Sequence, residues 1–322
     1  MKILTRLQSL SLPLLGLLVC GIGSRAQANP PGAPPAVPAR IAILGDSIAM
    51  DGRWVVLVES ALRANPGYAN AEIVDLALSS ETASGLSEPG HAGGKFARPC
   101  IHERLGRVLA AFKPTWVMAC YGMNDGIYLP LDPGRFKSFQ DGMTKLKTEV
   151  EKSGARFIAI TPPLYKADNP AADADHYDAV LDAYAAWLVA QRSNGWRVID
   201  IRPALKQAVA AAKHADPQFV YSKDTIHPGD EGHRLIAAAV WPGLAAMLKL
   251  PATPQFAQGE ALGVLAERKR LLQDSWLTDT GHLRPGCAGY RPPGAPPPAA
   301  AAVAATQAQA AQLLVRYQAA KP

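Results

Sequence analysis

The chain has 322 residues and a formal net charge of +6, and Lys2, Arg6 and Arg25 supply half of that charge. Without residues 1–28 the charge falls to +3, a balance that argues against a nucleic-acid binder. The remaining length suffices for one well-cored domain with appendages.

Lys2 and Arg6 precede an apolar run over 7–22, which ends in Ala26-Gln27-Ala28. This is the pattern of a cleavable signal peptide over 1–28, so the protein is expected to be exported to the periplasm or beyond the cell. The run is short and interrupted by Pro13, Gly16 and Gly21, and no later stretch is long enough for an integral membrane span. Val19 stands where lipoprotein processing at Cys20 would need a small residue. Residues 29–38 read as an extended Pro-rich leader.

From 39 to 250, short apolar runs alternate with longer amphipathic ones, the signature of βαβ units and a parallel sheet covered by helices. Strands are predicted at 40–44, 73–78, 115–121, 156–161 and 196–201. Phe136, Phe139, Met143, Leu146 and Val150 recur at helical spacing and read as one buried face. A last helix of the domain is predicted over 231–248, with Leu235, Ile236, Ala239, Val240, Leu244 and Met247 on its stripe. The segment 251–285 reads as a helical extension leaning on the domain, its Arg268-Lys269-Arg270 cluster as solvated charge, and His282 carries no assigned role. Residues 286–322, rich in Pro and Ala, read as a tail with little material for a core.

In an open parallel sheet the chemistry gathers beyond the carboxyl ends of the strands. The first strand breaks into Gly45-Asp46-Ser47, where a hydroxyl at a helix start serves either as a nucleophile or as an ordinary cap. The third ends in Gly122-Met123-Asn124-Asp125, where Asn124 offers an amide donor to an oxyanion, or forms a plain Asx turn. Asp224 and His227 stand three residues apart before the last helix, a spacing that lets a carboxylate orient an imidazole.

Taken in order, Gly45-Asp46-Ser47, Gly122-Met123-Asn124-Asp125 and Asp224-Thr225-Ile226-His227 resemble the blocks of the SGNH hydrolases, the GDSL family of esterases and lipases. The resemblance implies a three-layer α/β/α sandwich with a five-stranded parallel sheet (flavodoxin-like), and a secreted serine esterase that needs no metal or other cofactor. It implies Ser47 as nucleophile, His227 as general base and Asp224 as its orienting partner. The oxyanion hole would comprise Ser47, Ser80 and Asn124. Ser80 departs from the family pattern, which commonly has glycine there, and a positive φ would strain it; Gly85 is the nearest glycine.

The substrate is expected to be a small ester or an acetylated glycan, with lipid esters as the alternative. Asp46, Tyr121 and Tyr128 are candidate substrate contacts, and Tyr121 also fits a purely packing role. The segment from Ser84 to Glu103, with His91, Lys95, Arg98 and His102, either overhangs the site or forms a surface connection. Two other classes share the architecture: a phosphate-binding flavodoxin-like module, for which the Asp224–His227 pair has no use, and a glycan-binding member without activity. Of Cys100, Cys120 and Cys287, either Cys100 pairs with Cys287 or all three are free; the oligomeric state is not legible.

Overall fold

The structure, a computed structural model, describes residues 39–168 and 176–320. The expected signal peptide and Pro-rich leader lie outside the described residues.

Strands β1 (Arg40–Gly45), β2 (Glu72–Asp75), β3 (Trp116–Cys120), β4 (Arg156–Ile160) and β5 (Arg197–Ile199) form one sheet in the order β2-β1-β3-β4-β5. Every pairing is parallel, with Ile43 opposite Asp75 on one side and Met118 on the other. The strands are short and almost wholly buried, as expected where helices cover both faces. The second and fifth strands are shorter than predicted. Leu76 and Leu78 still donate to Ile43 and Gly45, but the chain there is already turning toward the site.

Helices α1 (Ser47–Asp51) and α2 (Arg53–Arg63) follow β1, α3 (Ile101–Phe112) follows the loop after β2, and α4 (Pro133–Lys152) follows β3. Helix α5 (Tyr177–Ala190) precedes β5, and α6 (Arg202–Ala215) and α7 (Asp230–Leu248) complete the expected domain. On α4 the stripe is seated as predicted: Phe139, Met143, Leu146 and Val150 are fully buried, while Phe136 is half-buried and stacks on Tyr184. Helix α7 packs against α2, α6 and β5, carrying Ile236, Val240 and Leu244 into the core.

The C-terminal region differs from its compositional reading. Helix α8 (Gly259–Thr280) runs against β2, α2 and α3, and its Trp276 meets Phe112 edge-to-face at 5.2 Å. Of its basic cluster only Arg270 is solvated. Arg268 and Lys269 are both buried, because two buried carboxylates, Glu59 and Asp75, await them. Part of the expected tail is helix α9 (Ala300–Ala320), whose Val303, Ala310, Leu313 and Tyr317 are buried; Leu313 and Tyr317 cluster with Val56, Val264 and Leu265. Alanine-rich composition thus hid a narrow apolar stripe. Between α8 and α9, His282 is also buried, bonding Ala288 O and the Arg284 N–H to fold the loop. Cys100, Cys120 and Cys287 are free thiols, so the Cys100–Cys287 bridge is not formed. No described helix is long and apolar enough to cross a membrane.

Candidate active site

The strand order reverses between β2 and β3 around β1, and the crevice at that switch point is where open sheets of this kind carry their sites. Gly45 ends β1 there. A methyl group on it would stand 2.8 Å from both Ala49 Cβ and Cys120 O, so only glycine lets the chain turn this sharply into α1. Asp46 caps the helix, accepting from the Ile48 N–H at 3.0 Å, and Ser47 follows as its first residue.

Ser47 Oγ lies 2.8 Å from His227 Nε2. On the other side of the ring, Nδ1 lies 2.6 Å from Asp224 Oδ2, while Asp224 Oδ1 accepts from the backbone N–H groups of Ile226 and His227. Partial burial alone would raise the Asp224 pKa, but the bonds from His227 and Ile226 outweigh it and bring it down to about 2. An ionised carboxylate only accepts, so Nδ1 carries the ring proton and Nε2 is left to accept from the Ser47 hydroxyl. The arrangement is able to strip that hydroxyl of its proton when an electrophile arrives. It is also open: the side chains of His227 and Asp224 are 45% and 55% exposed, leaving room for a bulky substrate.

The loop carrying His227 is tied down at several points. Asp168 accepts from the N–H groups of Tyr221 and Ser222, and the Lys166 N–H donates to Thr225 O. Arg53 reaches across from α2 to Pro228 O at 3.1 Å and to Asp230 at 2.6 Å, while its Nε binds Asp51 at the end of α1. Arg53 thereby joins the serine helix to the histidine loop. No motif in the sequence marks it. A cleft of about 780 Å3 opens beside these residues, lined by Arg53, Leu57, Asp230, Leu262 and Arg270 among others, and contains none of Ser47, Asp224 or His227.

Ser80 sits beyond β2 with φ at +67°, the left-handed conformation that its side chain disfavours. The surroundings impose it. Glu81, next in the chain, is buried in an ion pair with Arg104 at 2.6 Å and accepts from the Tyr121 hydroxyl at 2.6 Å. Farther on, the Ala83 and Ser84 N–H groups donate to Asp125 Oδ1 at 2.8 and 2.7 Å. No described protein group accepts from the Ser80 N–H. Gly85 also has a positive φ, and packs beside Cys100. Ile127, Tyr128, Lys166 and Thr225 are likewise at positive φ in these loops, a concentration of backbone strain of the kind found at functional sites.

Asn124 donates one amide proton to Glu81 O at 3.2 Å and is almost fully buried. Its position depends on Gly122, whose φ is +133° and on which a methyl group would stand 2.9 Å from Pro162. The three candidate substrate contacts have other surroundings. Tyr121 is fully buried in the Glu81 network and Asp46 is 3% exposed in its cap, so neither presents a surface to a ligand. Tyr128 is half-buried; its hydroxyl donates to Asn124 Oδ1 at 3.0 Å, and its ring packs on Tyr165 and Tyr177 with the Arg98 guanidinium 5.4 Å above it. Arg98 is the part of the 84–103 segment that reaches this cluster, held by a two-pronged pair with Glu88. His102 bonds Gly142 O instead.

Burial pushes the Asp46 carboxyl up to about 7 and that of Asp125 up to about 6, so the inner wall carries little negative charge in acid. Among the described residues no cluster of His, Cys, Asp or Glu forms a metal-ligating group.

The model of the GDSL-like Lipase/Acylhydrolase family matches residues 43–235, more than half of the chain, and the protein belongs to that family. It is an ester-bond hydrolase. No curated protein matches the sequence. Among solved structures, a catalytic mutant of Axe2, an acetylxylan esterase from Geobacillus stearothermophilus, superposes with a TM-score of 0.50 at 17% identity, covering 68% of this chain and 99% of its own. LAE5, an alpha/beta hydrolase enzyme from the metagenome of Lake Arreo, Spain, gives a TM-score of 0.50 at 20% identity, covering 66% and 98%. At these identities the likeness is one of fold.

Proposed function

We propose that the protein is an exported serine esterase that removes acetyl groups from a carbohydrate through an acyl-enzyme formed on Ser47. The observation that carries this reading is the unbroken chain Ser47 Oγ to His227 Nε2 at 2.8 Å and His227 Nδ1 to Asp224 at 2.6 Å. In the first step His227 takes the Ser47 proton as Oγ attacks the ester carbonyl, and Asp224 stabilises the imidazolium. The oxyanion is received by the N–H groups of Ser47 and Ser80 and by the Asn124 amide. His227 then returns the proton to the leaving alcohol, and water, activated by the same ring, releases the acid.

A carbohydrate substrate is supported by the openness of the relay and by the aromatic face of Tyr128 and Tyr165 beside Asn124. The acetylxylan esterase of the same fold lends the choice of acyl group. Export rests on Lys2, Arg6, the apolar run and Ala26-Gln27-Ala28.

The test is acetate release from p-nitrophenyl acetate and from acetylated xylo-oligosaccharides, with wild type and Ser47→Ala side by side. Loss of at least about a thousandfold in the variant is expected for a nucleophile. Full activity in Ser47→Ala overturns the mechanism; strong preference for long-chain lipid esters overturns the substrate class.

A further inference from the structure

We infer that Lys269, on the helix that follows the family-matched region, is a positioning residue that holds the Ser47 and Ser80 N–H groups in register by tying the end of α1 to the end of β2. The inference rests on the oxyanion roles proposed above for Ser47 and Ser80.

Helix α1 is only five residues long, and it starts at Ser47. The carbonyls at the end of so short a helix find few donors within it, and any looseness there is transmitted to its first residue. Lys269 Nζ supplies the missing donors. It bonds Met50 O and, at 3.2 Å, Asp51 O, and Gln273 adds a bond to Met50 O at 3.3 Å. The same ammonium pairs with Asp75 Oδ2 at 2.9 Å.

Asp75 is the last residue of β2, and its other carboxylate oxygen accepts from the Ala77 N–H at 3.0 Å, steering the chain toward Ser80. A second strand of the same tie runs from the Ser79 N–H to Met50 Sδ at 3.2 Å. Lys269, Asp75 and Met50 thus form one node from which both oxyanion-bearing turns depart. The ion pair is buried at the wall of the cleft of about 780 Å3, which Met50, Lys269 and Gln273 help to line: the Lys269 and Asp75 side chains are 7% and 0% exposed. Gly52, at φ +72°, makes room for it, since a methyl group there would overlap Lys269 and approach Asp75 Oδ2 to 2.7 Å. Taking an ammonium and a carboxylate this far out of water is unfavourable unless they are engaged, and here the ammonium meets Met50 O, Asp51 O, Asp75 Oδ2 and, at 3.2 Å, Gln273 Oε1. Helix α8 lies beyond residues 43–235, so this strut comes from outside the family-matched region.

Removing Lys269 alone leaves the fully buried Asp75 carboxyl, whose pKa burial already raises, without its counter-ion, so two variants of the full-length enzyme are needed: Lys269→Met, and Lys269→Met with Asp75→Asn. The double variant removes the unpartnered carboxyl and recovers most of the thermal stability lost in the single one. Its kcat on p-nitrophenyl acetate is nevertheless expected to stay roughly ten- to a hundredfold below wild type with KM within about twofold, as for displaced oxyanion donors. The rate at which a fluorophosphonate labels Ser47 should fall in parallel. Recovery of both stability and kcat would overturn the inference, leaving Lys269 as a counter-ion only. Should the double variant fail to fold, Gln273→Leu decides, because it keeps the Lys269–Asp75 ion pair and removes both a donor to Met50 O and the Oε1 acceptor of the Lys269 ammonium: a fall in kcat of about threefold or more at constant KM supports the inference, and an unchanged kcat overturns it. Ser47→Ala in the same series separates the two readings. If it stays active the site itself is misread; if it is inactive while the double variant turns over normally, only the role of Lys269 fails.

Discussion

The Tyr128 hydroxyl donates to Asn124 Oδ1 at 3.0 Å, and this one bond fixes which way round the Asn124 amide is held. With Oδ1 occupied by Tyr128 and one proton held by Glu81 O, the second amide proton is the part of Asn124 left for an oxyanion. Tyr128→Phe keeps the ring contacts to Tyr165 and Tyr177 and loses only the orienting bond. We expect kcat on p-nitrophenyl acetate to fall about tenfold with little change in KM, and stability to change by no more than about 1.5 kcal/mol. Steady-state kinetics with a urea melt check both, and an unchanged kcat would show that Asn124 needs no help in facing the site.

Asp46 gives the protein a pH-dependent stability of unusual sign. Its folded carboxyl keeps its proton up to about 7, against an ordinary value of 3.8, so between those limits the folded state binds more protons than the unfolded chain. The associated stability is fully present below about pH 4 and is lost as the pH rises through 7. Asp125, raised to about 6, adds to the same slope, whereas Asp224, lowered to about 2, acts only in stronger acid. Asn at position 46 still accepts from the Ile48 N–H but does not titrate. Urea melts at pH 4.5 and 7.5 should show a smaller loss of stability in Asp46→Asn than in wild type; equal losses would mean that Asp46 ionises normally.

The relay and the sheet were legible because they depend on local chemistry. Asp224 and His227 are neighbours in the chain, Gly45 and Gly122 announce sharp turns, and buried strands need only a run such as Ile41-Ala42-Ile43-Leu44. What escaped depends on pairs far apart in sequence. Arg104 with Glu81 and Lys269 with Asp75 are held by burial, and composition cannot distinguish a buried arginine or lysine from a solvated one, while the 42% exposed Arg53 meets Pro228 across 175 residues of chain. Tyr121 takes the packing role rather than the contact role, and Asp46, a candidate contact, is buried in its cap, because proximity to a motif says nothing about which side of the wall a side chain occupies.

Gly45→Ala tests the turn that delivers Ser47. The added methyl has 2.8 Å to Cys120 O, a backbone atom of the neighbouring strand that cannot withdraw, so α1 must shift. A shift there moves Ser47 away from His227 Nε2. We expect a fall in kcat of roughly a hundredfold, as for a misplacement near 1 Å, accompanied by a loss of about 1–3 kcal/mol from overpacking. Kinetics and a denaturant melt on the same sample would reveal the alternative, in which stability falls and kcat does not.

Arg268 offers a contrast with Lys269, one residue along the same helix. Its Nη1 binds Glu59 Oε1 at 2.8 Å, and Glu59 in turn binds Arg63 Nε at 2.7 Å, with all three side chains nearly inaccessible. This cluster joins α8 to the middle of α2, away from the ends of β1 and β2. Arg268→Met leaves Glu59 with Arg63 as its remaining partner, and that guanidinium is shared with Ala69 O and Ala71 O. The expected loss is about 3 kcal/mol, the lower end for breaking a buried ion pair because part of the compensation survives. Below the melting temperature kcat should stay within about twofold of wild type, since nothing in the cluster bears on Ser47 or Ser80. A large fall in kcat at full folding would mean that α8 supports the site as a whole body, through every contact it makes with α2 and β2 rather than through the ammonium of Lys269 alone.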